Sequence, residues 1–73
     1  MMIPSNYEIN VAKLQKKPME PVAHYYHYCR IELGDISKLD ATDKLHQLRK
    51  FFPEEFKLTL SCVECKGMEI EEL

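Results

Sequence analysis

The residues best suited to chemistry are Cys62 and Cys65, in the run Cys62-Val63-Glu64-Cys65-Lys66-Gly67. Two cysteines three positions apart, on a tight turn closed by glycine, can bring two thiolates to one point with backbone N–H groups aimed at the sulfurs. A tetrahedral zinc ion needs two more ligands. Cys29 and His27 are the nearest in type: two apart on a predicted strand, they share a face and would complete a Cys₃His set. One expectation is therefore a small structural zinc-binding module with Cys62, Cys65, Cys29 and His27 as ligands. The spacing weighs against it, because the second pair falls inside a strand and not on a second compact turn. Without metal, Cys29 and Cys62 read as small apolar core residues. A thioredoxin-like dithiol needs its first cysteine at a helix N-terminus, and this pair follows a strand.

The three histidines carry no catalytic signature. His24 and His27 alternate across a strand, so they point to opposite faces. His46 lies beside the polar side of a predicted helix. No Ser or Cys nucleophile is set beside a His by local sequence. The expectation is a non-enzyme.

Tyr26, Tyr28 and Arg30 form the third group. They alternate along the stretch of residues 24–33, rich in aromatic and β-branched side chains and free of Gly and Pro. Alternation assigns Tyr25, His27, Cys29, Ile31 and Leu33 to one face, and His24, Tyr26, Tyr28, Arg30 and Glu32 to the other. The first face is core-like. The second is expected to be open, with Tyr26, Tyr28 and Arg30 as an interface, since Tyr and Arg are enriched at protein contacts. Aromatics on an open sheet also stack bases. Ten Lys+Arg against twelve Asp+Glu, a net charge of −2, and only Lys13, Lys16 and Lys17 as a basic group argue against nucleic acid.

The elements that position these residues follow from periodicity. Residues 7–14 alternate, with Tyr7, Ile9 and Val11 on a buried face. Residues 15–22 hold Pro18 and Pro21 and read as a loop, so the two flanking strands should be antiparallel neighbours. Gly34-Asp35 reads as a turn that ends the second strand. Ser37 and Asp40 are spaced as a capping box, and Asp40 and Asp43 repeat the spacing, which places a helix start between them. Ala41, Leu45, Leu48 and Phe52 make one apolar stripe, and Pro53 stops the helix at Phe52. Residues 56–62 return to a period of two. A turn or bulge follows near Val63, and residues 68–70 can form a fourth strand.

The expected fold is thus α+β: β-β-α-β(-β), a three- to four-stranded sheet with one helix packed on one face, over a single domain of residues 1–73. The strand–helix–strand crossover should leave strands two and three parallel, with strand one between or outside them. The arrangement resembles half of a ferredoxin-like fold, an analogy that implies no function.

A chain of 73 residues buries a small share of its surface, so a dimer, a metal or disulfides should add stability. Three cysteines is an odd number, and residues 1–6 read as a lead-in with neither a charged leader nor an apolar run. These point to a cytoplasmic chain with reduced thiols and no membrane span. The functional expectation is a small cytoplasmic homodimer that acts as a protein-interaction module. The alternatives are the zinc module and, behind it, a nucleic-acid-binding accessory protein.

Overall fold

The computed structural model describes residues 5–73. The elements run β1 (Ser5–Gln15), β2 (His24–Ile36), α1 (Lys38–Arg49), β3 (Phe56–Cys62) and β4 (Met68–Glu72). The four strands form one sheet in the order β2-β1-β3-β4, with every neighbouring pair antiparallel. β2 and β3 therefore point the same way, and β1 fills the place between them. The fold is α+β, with the fourth strand present.

The core comes from the alternations expected of β1 and β3. Tyr7, Ile9 and Val11 meet Phe56, Leu58, Leu60 and Cys62 on one face, and Ala41 and Leu45 of α1 close over them. Leu48 and Phe52 continue the stripe half-buried. Ser37 caps α1: its Oγ accepts from the Asp40 N–H at 3.1 Å. Regular helix ends at Arg49, three residues short of Phe52. Phe51 N–H and Phe52 N–H then donate to the Leu48 and Arg49 carbonyls, a tighter turn that carries the chain to Pro53.

Three expectations are corrected. The lead-in is shorter than residues 1–6, because β1 already begins at Ser5; residues 1–4 lie outside the described residues. β2 does not end at Gly34-Asp35. Gly34 and Asp35 pair with Tyr7 and Asn6, and the strand runs on to Ile36. Gly34 instead serves a bulge: Tyr7 faces Gly34 and Glu8 faces Glu32, so Leu33 is the extra residue. The bulge needs a left-handed backbone beside it, which Gly34 adopts at φ 74°.

The third correction concerns the faces of β2. A second bulge falls where Val11 faces Cys29 and Ala12 faces His27, leaving Tyr28 unpaired. One extra residue inverts the alternation on its N-terminal side. Cys29, Ile31 and Leu33 lie on the helix face, as expected. Tyr26 does too, because it faces Lys13, whose Nζ sits 5.6 Å from the centre of the core ring of Phe56. Tyr25 and His27 are turned to the open face, opposite Leu14 and Ala12.

Candidate functional site

The thiol turn is built from β3 outward. Cys62 continues the buried face of the strand and is 2 % exposed. The chain then turns so that the Cys62 carbonyl accepts from both Cys65 N–H (3.3 Å) and Gly67 N–H (3.1 Å). Lys66 and Gly67 take left-handed conformations, φ 58° and 76°, which return the chain into β4. The result sets Cys62 Sγ and Cys65 Sγ 3.0 Å apart, with Cys65 exposed. The Cys65 thiol titrates above the ordinary cysteine range. Its hydrogen bond with Cys62 contributes most, followed by desolvation and by the charges of Cys62 and Glu64.

The other two candidate zinc ligands are not brought to this turn. Cys62 faces Tyr7 on β1, and Cys29 faces Val11 on the opposite side of that strand. Four residues along a strand span about 13 Å. His27 and Cys29 also no longer share a face, since the Tyr28 bulge separates them. Among the described residues no group of three or more His, Cys, Asp and Glu side chains converges as a metal site.

The expected interface residues part in the same way. The Tyr26 hydroxyl donates to the Glu20 carboxylate, with oxygens at 2.7 and 2.8 Å, and Lys17 Nζ stands 4.4 Å from the ring centre. Tyr26 thus binds its own loop. Its phenol is pushed above the ordinary tyrosine range, first by that hydrogen bond, then by desolvation and the Glu20 charge. Tyr28 packs edge-on against Phe56, ring centres 5.0 Å apart, and Phe56 in turn meets Phe52. Arg30 lies on the open face between Glu8 (3.4 Å) and Glu32 (3.2 Å). Sequence reasoning missed the Glu20–Tyr26–Lys17 cluster. Only the hairpin register brings Tyr26 beside its own loop, and spacing along the chain carries no sign of it.

The open face is charged where it was expected to be aromatic. Beside the Arg30 trio it carries Lys57, paired to Glu72 at 3.2 Å and standing 5.1 Å from the centre of the Tyr25 ring. On the helix side, His46 Nε2 lies 3.1 Å from Glu71 and ties α1 to β4. The described residues enclose no pocket. Among the described residues no helix is long and apolar enough to cross a membrane.

The two outer strands differ. β4 is five residues long and carries Glu69, Glu71 and Glu72. β2 is thirteen residues long, the longest element of the sheet, and β1 occupies only one of its sides. β3 is interior, held by β1 and β4. Comparison with protein-family models, with curated proteins and with solved structures gave no match.

Proposed function

We propose that this chain is a homodimeric protein-interaction module, and that its dimer forms by antiparallel pairing of β2 with β2 of a second copy. The observation that carries the reading is the position of β2: the longest strand lies at the sheet edge with one row of backbone N–H and C=O groups unpaired by the sheet. Such an edge is a template for another strand. A two-fold axis through Ile31 would place Arg30 opposite the partner's Glu32, and Glu32 opposite its Arg30. On the other face the same register sets Cys29 opposite Leu33 and Ile31 opposite itself. Both faces of β2 are thus self-complementary, charge to charge and apolar to apolar. β4 has no such register, because pairing it with itself gathers glutamates.

The role is binding and not catalysis, in a reducing cytoplasm. Arg30 and Tyr28 stay in the interface on this reading: Arg30 through its cross-strand partner, Tyr28 through its half-exposed ring beside the edge. Tyr26 leaves it, since it is engaged by Glu20 and Lys17.

The experiment is a charge swap followed by sedimentation. Glu32 is 73 % exposed, so Glu32→Lys should leave the fold intact while setting two like-charged pairs across the axis. Dissociation should strengthen by on the order of tenfold, from about 0.7 kcal/mol at each of the two pairs. Arg30→Glu combined with Glu32→Arg should restore association. A wild-type chain that sediments as a monomer at micromolar concentration overturns the dimer. A Glu32→Lys protein as tightly associated as wild type overturns the β2 register.

A further inference from the structure

We propose that Cys62 and Cys65 are a thiol–disulfide exchange site: a two-electron dithiol/disulfide couple at the β3–β4 turn that reacts with low-molecular-weight disulfides. The proposal is independent of the dimer.

Three observations carry it. The sulfurs stand 3.0 Å apart, within about 1 Å of the bonded S–S distance. The backbone already has the required form: the Cys65 N–H to Cys62 C=O bond closes a turn whose first and fourth residues are the two cysteines. A turn of that kind holds its end Cα atoms less than about 7 Å apart, the span a disulfide bridges. The two thiols are also unequal in access. Cys65 is exposed and Cys62 is buried, so one is set to meet a reagent and the other to resolve the adduct.

The chemistry balances without a group held by the protein. The Cys65 thiolate attacks one sulfur of a small disulfide RSSR, forming Cys65–S–S–R and expelling one thiolate. The Cys62 thiolate then attacks Cys65 Sγ, forming the Cys62–Cys65 bond and expelling the second. The protein loses two electrons and two protons; RSSR gains them as two RSH. The expected rate-limiting step is the first, because the Cys65 thiol is held above its ordinary range and little of it is thiolate near neutrality. The second step is unimolecular between sulfurs already in contact, so the mixed disulfide should not accumulate.

Cys29 is the remaining cysteine, and it lies apart on β2. The test uses the full chain carrying Cys29→Ser, exposed to glutathione disulfide and read by intact mass and peptide mapping. The expected product is a monomer lighter by two hydrogens, with no glutathione attached and a mapped Cys62–Cys65 bridge. It should form at a rate independent of protein concentration, and a dithiol reductant should reverse it. Cys62→Ala, checked for folding by circular dichroism, should instead stop at a glutathione adduct on Cys65. A Cys29→Ser protein that ends as a stable Cys65 adduct, or as a Cys65–Cys65 cross-linked dimer, overturns the proposal. Because the mapping is done with both cysteines of the pair present, it decides even if Cys62→Ala fails to fold.

Discussion

At the scale of single residues, the side chains that matter most are those whose neighbours are non-local. Leu45 and Leu48 belong to one helical stripe, yet Leu45 is fully buried and Leu48 only half. Leu45→Ala should cost about 2–5 kcal/mol, the range for a well-packed leucine, and Leu48→Ala clearly less. Urea unfolding of the two variants checks the order. Tyr26 offers a second test. Its phenol favours the neutral form in the folded protein, because only the neutral hydroxyl donates to Glu20. Ultraviolet titration should find it ionising above the ordinary value of about 10. The sign for stability follows: the contribution is complete below the unfolded-state value and is lost as pH rises through the folded one. Glu20→Gln removes the charge and weakens the acceptor, so Tyr26 should move back down.

At the scale of elements, what was legible in the sequence is what repeats. Tyr7, Ile9 and Val11, the stripe from Ala41 to Phe52, and the Phe56–Cys62 alternation each recur over several periods, and each lies where its period predicts. β2 failed at its two bulges, for different reasons. Gly34 was visible as a residue able to turn, and a left-handed glycine inside a bulge has the same signature as one inside a turn. The Tyr28 bulge leaves no mark, because His24 to Cys29 contains neither Gly nor a break in polarity. A single unpaired residue there exchanged the faces of Tyr25 and Tyr26 and separated His27 from Cys29, which removed the aromatic open face and split the zinc set. The thiol turn, by contrast, was fully local and therefore readable. Gly34→Ala tests the bulge. A Cβ there meets nothing within 4 Å, so the only penalty is the positive φ. The loss should be about 1–2 kcal/mol in denaturant unfolding. A neutral substitution would mean that β2 pairs through residue 34 without the left-handed kink.

At the scale of the molecule, the chain is drawn out. Its extents are 50 × 26 × 15 Å and its radius of gyration is 13.7 Å, against about 11 Å for a compact domain of this length. The excess comes from the β1–β2 hairpin. β3 pairs with β1 only as far as Lys13, while β1 and β2 pair on to Gln15 and His24, so the hairpin projects beyond the rest of the sheet. A long shape gives each residue fewer neighbours, and a two-stranded projection is marginal by itself. Pairing β2 with its copy would turn two four-stranded sheets into one of eight, moving the long outer strands to the centre. Folding and association would then be linked, and the thermal midpoint would depend on concentration. A tenfold dilution removes about 1.4 kcal/mol per dimer, or roughly 0.7 per protomer, which corresponds to a fall of roughly 3–6 °C for a domain of this size. Scans from ten to several hundred micromolar should show that slope in the wild type, and Glu32→Lys should lower the midpoint most at the dilute end. A midpoint that stays fixed across the series would mean that the single sheet is stable alone, with β2 left as an open edge.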